Sequence, residues 1–270
     1  MLTTLRNFWL HPVNTLREIW SYREMIAGLV HRDLRGRYKG SMLGFLWTFI
    51  NPFLQLMVYT MVFSVIMRSG IDKYYLFLFV ALIPWMFFST SVAGGCNCVL
   101  DQTGMVTKIY FPREVLPIAH VTASFINMLY CFIVVLAVVL LSGVTINPLA
   151  LLCLPLVMIV EYFLALGFAL LFSALTVYLR DLAHIMGIVV MAWQFLTPVM
   201  YDISAVPEAM RQIFYLNPMT SVIMAYRDIL YAGVVPDLST LGTAVAAALI
   251  FLVLGFEVFG RLKRGFAEQL

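Results

Sequence analysis

The 270-residue chain is 63% hydrophobic and only 11% charged, with a formal net charge of +3. A soluble globular domain typically carries about 45–50% apolar and about 25% charged residues. This composition argues against a water-soluble enzyme, a disordered protein and a nucleic-acid-binding protein, and it indicates an all-α protein with several membrane-spanning helices.

Six apolar stretches are each long enough for a spanning helix, which needs about 20 mostly apolar residues. The uncharged stretch 115–160 is too long for one helix, and a run of turn-forming residues at 142–148 divides it in two. The runs are continuously apolar, whereas the strands of a transmembrane barrel alternate. The predicted spans of this single transmembrane domain, residues 1–270, are residues 43–67, 74–99, 115–141, 149–177, 182–200 and 239–259.

The segment before the first span, residues 1–40, is rich in arginine and has no long apolar core, so no cleavable signal peptide is predicted there. Residues 14–35 have the periodicity of an amphipathic helix. Its predicted apolar face consists of Ile19, Tyr22, Ile26, Leu29 and Val30. Such a helix either lies in the membrane interface with its cations toward the headgroups or is a plain solvated helix.

The distribution of Lys and Arg predicts which side of the membrane each loop occupies. Six spans put both termini on one side, and a cytoplasmic N-terminus assigns thirteen Lys and Arg residues to the inside and four to the outside. Cytoplasmic loops carry the excess of Lys and Arg in membrane proteins. Both termini of this multi-pass protein are therefore predicted to be cytoplasmic.

Of the two predicted cytoplasmic connections, the longer one has features of a protein-docking surface. The loop 101–114 mixes aromatic with charged side chains and is longer than a simple connection needs. Aromatic anchors beside charges are typical of protein–protein interfaces. The tight turn Tyr178–Leu182 is the second such connection.

The external segment 201–238 is apolar in blocks, and neither block is long enough to span a membrane. The pattern predicts two short re-entrant helices that dip into the outer leaflet. Within this segment, Arg227 and Asp228 are interpreted as a local ion pair in preference to a substrate site.

Few polar groups lie inside the predicted spans. Asn51-Pro52 and Gln55 in the first span mark either a transport pathway or ordinary packing, and the proline frees a carbonyl that a neighbouring helix must satisfy. Glu161 is interpreted as a coupling residue, as a partner in a hydrogen bond between helices, or as a group at the wet end of its span. The cysteines, interpreted as small packing residues, are Cys96, Cys98, Cys131 and Cys153.

Motifs for nucleotide or metal chemistry are missing from the sequence. It contains no Gly-x-x-x-x-Gly-Lys-[Ser/Thr] phosphate loop, no His-x-x-x-His and no Cys-x-x-Cys. No catalytic residue, metal site or cofactor is therefore predicted for this chain.

Five segments in a fixed order suggest a family. They are Arg32–Trp47, Lys108–Pro117, Pro198–Tyr201, Leu216–Met219 and Gly265–Glu268. On these segments, and over nearly its whole length, the chain resembles the membrane subunits of type-2 ATP-binding cassette exporters of lipid-linked polysaccharides, namely O-antigen, capsule and wall teichoic acid.

The resemblance implies a homodimer of six-span subunits bound to two copies of a separate ATPase, which would bind the ATP and Mg. It implies an interface helix at 14–30, a coupling helix within 101–114, a second contact at Tyr178 to His184, and a re-entrant pair at 202–232 that caps the exit. Phe111 is expected to be an apolar anchor in the ATPase groove, with Arg113 and Glu114 as charged partners.

The resemblance also assigns site residues. Those expected to couple to the ATPase are Lys108, Tyr110, Phe111, Pro112, Arg113, Glu114, Arg180 and Asp181. Those expected at the interface helix and the approach to the first span are Arg32, Arg35, Arg37, Tyr38 and Lys39.

Aromatic rings can guide a sliding glycan, because sugars present C–H faces that pack on rings. Phe49 and Phe53 in the first span, with Trp193 and Tyr201 in the fifth, form the predicted substrate path, since the resemblance places these two spans at a dimer channel. The alternative is packing or an aromatic belt at headgroup level.

The predicted function is that of a permease subunit, without enzymatic activity, in an ATP-driven exporter that moves a lipid-linked polysaccharide across the bacterial cytoplasmic membrane. One alternative is the same fold exporting a drug or a lipid. A proton-coupled secondary transporter is disfavoured by the scarcity of intramembrane charges, and a membrane-embedded transferase by the absence of converging acid–base partners.

Overall fold

The computed structural model describes residues 17–37, 39–145 and 147–270, and this part of the chain is helical without any strand. Residues 17–21 are helical, and the helices that follow are α1 (Arg23–Gly36), α2 (Trp47–Thr60), α3 (Tyr74–Gly95), α4 (Thr103–Val106), α5 (Val115–Leu141), α6 (Pro148–Tyr178), α7 (Leu182–Phe195), α8 (Glu208–Leu216), α9 (Pro218–Arg227), α10 (Leu238–Leu262) and α11 (Phe266–Gln269). Residues 14–16 of the predicted interface helix and Tyr38 lie outside the described residues.

Within the described residues, five helical segments are long and apolar enough to cross a membrane. They are Gly44–Ile66, Tyr74–Gly95, Val115–Leu141, Pro148–Tyr178 and Leu238–Gln269. These segments coincide with five of the six predicted spans. The first includes a π-helical turn, Met61–Ile66, that continues α2.

The predicted fifth span, 182–200, contains a shorter helix. α7 has 14 residues, which gives a length of about 21 Å against a hydrocarbon core of about 30 Å. The helix ends at Phe195 because Pro198 has no N–H to donate and disfavours helical backbone in the residue before it. The fold is therefore all-helical with five helices of spanning length and one shorter apolar helix.

The predicted break between the third and fourth spans is confirmed. Gly143 adopts a φ of 69°, in the left-handed region that a glycine reaches without a steric penalty. The Asn147 side chain accepts a hydrogen bond from the Leu149 amide at 3.0 Å, and Pro148 occupies the first helical position of α6. Together these residues end one helix and begin the next.

The core is built around α3 and α6. Most side chains of α3 are buried, and it packs against α5, α6 and α9. α6 and α10 approach each other closely at Gly167 and Gly255, where a Cβ on Gly167 would lie 2.5 Å from the carbonyl carbon of Phe251. Phe168 stacks on Phe251 beside this crossing with ring centroids 4.1 Å apart. Small residues at such a crossing let two membrane helices pack backbone to backbone.

α1 packs on the side of α5. Ile19 and Val30 are buried, and Val30 contacts Ala119 and Ala123 of α5. Arg17, whose side chain is exposed, belongs to the opposite face. The sidedness predicted for this amphipathic segment is therefore observed over the described residues 17–36.

Candidate functional site

The loop between α3 and α5 exposes only part of the predicted coupling set. It begins with a 3₁₀ turn, Leu100–Gln102, and the short helix α4. Lys108 is exposed, Ile109 is 59% exposed and Tyr110 is 88% exposed. The outward tip of the loop is therefore formed by residues 108–110.

The next residues of the loop face inward. Phe111 is only 6% exposed and belongs to the hydrophobic core, and Pro112 is buried as well. Burial of an aromatic side chain removes about 150–250 Å² from water. A buried ring cannot serve as the exposed anchor expected of Phe111 without leaving this core.

The two charges expected to meet the ATPase have partners inside the chain. Glu114, 2% exposed, accepts a hydrogen bond at 2.6 Å from the Lys263 ammonium. Arg113 donates to the Lys263 carbonyl and lies 5.8 Å from the centroid of the buried Phe266 ring. These contacts hold the C-terminal tail, Lys263–Gln269, against the loop.

The second predicted coupling connection is attached to the same tail. The Tyr178 hydroxyl donates to the Leu262 carbonyl at 2.8 Å, and its ring lies 6.3 Å from Phe266. Arg180 and Asp181 beyond it are exposed. We call the set of Arg113, Glu114, Tyr178, Lys263 and Phe266 the C-terminal clasp, because it joins both predicted coupling connections to the end of α10.

The basic residues before the first span differ in their surroundings. Arg32, Arg35 and Lys39 are exposed. Arg37 is half-buried, and its guanidinium donates to Asp33 at 3.0 Å and to the Ser124 hydroxyl of α5 at 2.9 Å. Among residues 32–37 and Lys39, which the structure describes, Arg37 is the one held against a spanning helix by a hydrogen bond.

Phe49 and Phe53 line an apolar cleft of about 720 Å³ between α2, α3 and α5. Pro52 between them cannot donate to the carbonyl of Thr48 four residues earlier. The Cys131 thiol of α5 donates to this carbonyl instead, at 3.3 Å. The expectation that a neighbouring helix satisfies the freed carbonyl is therefore confirmed.

Trp193 and Tyr201 lie in different surroundings from the first two rings. Trp193 packs edge-on against Phe88 and Phe168 at 5.3 and 5.4 Å. The Tyr201 hydroxyl donates to the Phe195 carbonyl at 2.6 Å. The four predicted path residues are therefore divided between two places in one chain.

The segment that follows α7 has its carbonyls satisfied by side chains. Asn217 donates to the Leu196 carbonyl at 3.1 Å, and Tyr74 donates to that of Met200 at 2.7 Å. Trp193 donates to Asn217 Oδ1 at 2.9 Å. Irregular backbone at membrane depth is tolerated where it is buried in protein in this way.

Arg227 completes this network. Its guanidinium donates to the Val199 carbonyl at 2.7 Å and to the Tyr201 carbonyl at 3.2 Å, and it lies 3.5 Å from the centroid of the Phe77 ring. Both Arg227 and Asp228 are described by the structure and they form no ion pair, so the predicted pairing is corrected. The two carbonyl oxygens lie in the irregular segment after α7 and carry partial negative charge, which stabilises the buried cation.

Two charged groups of this network, Arg227 and Asp202, affect each other's pKa. Burial lowers the pKa of the Arg227 guanidinium to about 9, against the opposing attraction of Asp202, so the group remains charged at neutral pH. Burial alone would raise the pKa of the Asp202 carboxyl, but hydrogen bonds from Ser204 and the charge of Arg227 hold it below its ordinary value. A cation on the carbonyls and an anion nearby stabilise the turn after α7.

Glu161 is fully buried in α6 and accepts a hydrogen bond at 2.7 Å from the hydroxyl of the fully buried Tyr226. This contact joins α6 to α9. Of the interpretations open for Glu161, the hydrogen bond between helices is the one observed.

Among the described residues, no group of three or more His, Cys, Asp or Glu side chains could hold a metal ion. The four cysteines are free thiols, with Cys153 partly exposed and the other three buried. The described side chains offer hydrogen bonds, aromatic faces and apolar clefts.

Sequence reasoning missed several residues of these networks. Each of these residues is far in sequence from its hydrogen-bond partner: 149 residues for Lys263 and Glu114, 24 for Asn217 and Trp193, and 65 for Tyr226 and Glu161. Two segments that carry the family resemblance lie at or near these residues. Leu216–Met219 includes Asn217, and Gly265–Glu268 begins two residues after Lys263. That resemblance was the signal that could have directed attention to these residues.

Comparison with known proteins connects this architecture to a family. Residues 25–231 match the model of the ABC-2 type transporter family. The O-antigen export system permease protein RfbA of Myxococcus xanthus is 35% identical over 263 residues, which cover 96% of this chain and 100% of that protein. An RfbA of Klebsiella pneumoniae is 30% identical over 92% of this chain and 95% of its own length.

A more distant relative extends the comparison. The polysialic acid transport protein KpsM of Escherichia coli is 21% identical over 240 residues, which cover 87% of this chain and 92% of that protein. The matched family model covers well over half of the chain and the relatives align over almost their full lengths. The chain therefore belongs to the ABC-2 type transporter family.

Proposed function

We propose that this chain is the membrane permease subunit of an ATP-driven exporter that moves a lipid-linked polysaccharide across the bacterial cytoplasmic membrane. The observation that carries the proposal is the full-length similarity to RfbA and KpsM, whose names assign them to O-antigen export and polysialic acid transport. The chain transports and is not an enzyme, and ATP with Mg belongs to a separate ATPase subunit. The sequence, which has no phosphate loop, agrees with this division.

The working unit is a homodimer with two ATPase subunits. Among the side chains of α2, only Thr48 and Pro52 are buried, and α7 buries only Met186 and Val190. Helices this exposed are covered by lipid or by another protein chain, and a second copy across α2 and α7 would bring the two separated pairs of aromatic path residues to one channel. Two differently tagged copies that fail to purify together would contradict this pairing.

The chain crosses the membrane six times, with α7 and the turn after it forming the shorter fifth crossing. The side chains that satisfy the carbonyls after Phe195 support this assignment, because they allow an irregular segment within the membrane. α8 and α9 are the re-entrant pair of the outer leaflet. The amphipathic α1 lies in the cytoplasmic interface.

The orientation can be tested with two exposed positions. Thr107→Cys is expected to be protected from a membrane-impermeant thiol reagent in intact cells, and Ser204→Cys to be labelled, because the charge distribution puts residue 107 inside and residue 204 outside. Labelling is measured by a gel shift before and after membrane permeabilisation.

The labelling background removes the four native cysteines, with Cys131 replaced by serine so that a donor to the Thr48 carbonyl remains. Permeabilised cells provide the control, since both introduced cysteines should then react. Labelling of residue 107 alone in intact cells would contradict the predicted orientation and indicate the reverse one.

The proposed function predicts a specific cellular phenotype. Deletion of this gene is expected to abolish polysaccharide at the cell surface and to accumulate lipid-linked polymer on the cytoplasmic side, because synthesis continues while export stops. Immunoblots of surface polysaccharide and extracted lipid-linked polymer measure the two pools. Normal surface polysaccharide in the deletion strain would contradict the proposal.

The same strain tests the aromatic path. Leu variants of Phe49, Phe53, Trp193 and Tyr201 keep apolar bulk and remove the flat ring, so each is expected to lower export while the subunit still binds its ATPase. Ile188→Leu is the matched control, since Ile188 is 66% exposed on α7 and is not a ring. Wild-type export by all four variants would assign these rings to packing.

A further inference from the structure

Two adjoining cavities of opposite character lie beside α2. The first is the apolar cleft of about 720 Å³, and the second is a polar cavity of about 390 Å³. Pro52 and Cys131 line both cavities, so the two share a wall. Each volume falls within the range of about 300–1,000 Å³ that is typical of ligand pockets.

The polar cavity has the chemistry of an anion site. Its lining includes the guanidinium of Arg37, the amides of Asn51 and Asn127, and the hydroxyls of Thr90 and Ser124. The hydrogen bonds from Arg37 to Ser124 and Asp33 hold the guanidinium in place at the cavity. A planar guanidinium together with neutral donors is suited to the oxygens of a phosphate ester.

Further positive charge lies close to Arg37 in the chain. Arg32, Arg35 and Lys39 are exposed around the end of α1. Asp33, the one acidic residue among them, already pairs with Arg37. The segment 32–39, from which Arg37 reaches the cavity, therefore has a net positive charge that is complementary to an anionic headgroup.

The apolar cleft has the chemistry and the length of a hydrocarbon tail site. Along α2 and its continuation, the lining runs from Phe49 to Val65, a distance of about 24 Å at 1.5 Å per residue. The opposite walls include Phe79 of α3 and Val138 of α5. This length covers most of the hydrocarbon core, which is about 30 Å thick.

We propose that the two cavities form a single site for the polyprenyl diphosphate anchor of the cargo, with the diphosphate in the polar cavity and the single long tail in the apolar cleft. This inference rests on the proposed function. Arg37 and Asn51 contact the diphosphate, and Phe53 and Phe79 contact the tail. The site lies within one subunit, so each copy of the chain holds its own anchor.

The test uses the purified complex of this chain with its ATPase and a polyprenyl diphosphate that carries a diazirine in its tail. Photolysis followed by mass spectrometry of peptides is expected to place the label within residues 49–65 of α2 and 131–138 of α5. Excess unlabelled polyprenyl diphosphate should remove the label, and an equal excess of dioleoyl phosphatidylglycerol should leave it. Removal of the label by both lipids, or a label spread over α7 and α10, would overturn the proposal.

Two pairs of variants test the tail and the headgroup separately. Thr60→Trp fills the apolar cleft and is expected to lower labelling at least about tenfold, whereas Val58→Trp, two residues away and outside the cleft, should label like the wild type. Arg37→Gln should lower labelling by the diphosphate probe about tenfold or more, since hydrogen bonds to charged groups are among the stronger ones. An uncharged polyprenol probe should label Arg37→Gln and wild type equally.

Equal labelling of Thr60→Trp and Val58→Trp, or equal sensitivity of both probes to Arg37→Gln, would overturn the site.

Failure of the site and failure of the function are distinguishable. A deletion strain that loses surface polysaccharide, with a complex that is not labelled in the cleft, contradicts the site alone. Specific cleft labelling with normal export in the deletion strain contradicts the proposed function.

Discussion

Tyr110→Ala is expected to weaken binding of the ATPase subunit about thirtyfold and to leave the permease as stable as the wild type. Tyr110 is 88% exposed at the tip of the loop between α3 and α5, where its ring is free to enter a partner's pocket. Truncation of an interface hot spot costs about 2 kcal/mol or more, and about 1.4 kcal/mol corresponds to a tenfold change in affinity. Titration of labelled ATPase against the solubilised permease measures the affinity.

Phe111→Ala is the matched comparison, because the two rings are adjacent and differ in burial. Loss of the buried ring is expected to destabilise the permease itself by about 3–5 kcal/mol, the usual cost of an aromatic deletion in a core. Thermal unfolding of the permease without its partner separates the two effects. The opposite result would be normal ATPase binding by Tyr110→Ala together with a normal melting temperature and lost binding for Phe111→Ala. That result would identify Phe111 as the anchor and would show that its ring is not buried in the complex.

Gly255→Leu is expected to destabilise the permease by about 3 kcal/mol or more, because α6 and α10 can no longer pack backbone to backbone. A Cβ at this position would meet the Gly167 carbonyl oxygen and would lie 3.1 Å from the Leu170 side chain. Overpacking of a close interface costs about 1–3 kcal/mol, and the cost here falls at the upper end because backbone atoms cannot move aside as a side chain can. Yield and melting temperature of the solubilised protein measure the loss.

Gly260→Leu is the control on the same helix. A Cβ at Gly260 would have no neighbour within 4 Å, so a leucine there should leave the protein folded and improve the local helix propensity. Similar melting temperatures for the two variants would show that α6 and α10 do not cross as closely as described.

The C-terminal clasp links the two predicted coupling connections mechanically. Arg113 and Glu114 belong to the first connection and Tyr178 to the second, and all three contact the segment around Lys263. A displacement of either connection would therefore move the end of α10. The salt bridge between Glu114 and Lys263 is largely removed from water, so loss of one partner leaves a buried charge without compensation.

Much of the architecture follows from the sequence alone. A continuous apolar run of 20 or more residues forms a helix in a membrane, because a helix satisfies every backbone N–H and C=O within the segment. For this reason the spans predicted at 115–141 and 149–177 agree with α5 and α6 to within one residue at each end. The capping residues Asn147 and Pro148 confirm that boundary from local chemistry alone.

The site depends on contacts that local chemistry does not encode. Tyr110 and Phe111 are adjacent aromatic residues with similar propensities, and only packing against distant helices decides that one is exposed and the other buried. The irregular segment after α7 likewise depends on Asn217 and Tyr74, which satisfy its carbonyls from far along the chain.

The sequence by itself determined the helical class, the positions of five crossings, the charge asymmetry and the family, because each of these follows from local composition or from the order of short segments. Only the tertiary structure decided the partners of Arg227, Glu161 and Glu114. A charged group in an apolar environment requires a nearby dipole or countercharge, and here those partners lie 26 to 149 residues away in the chain.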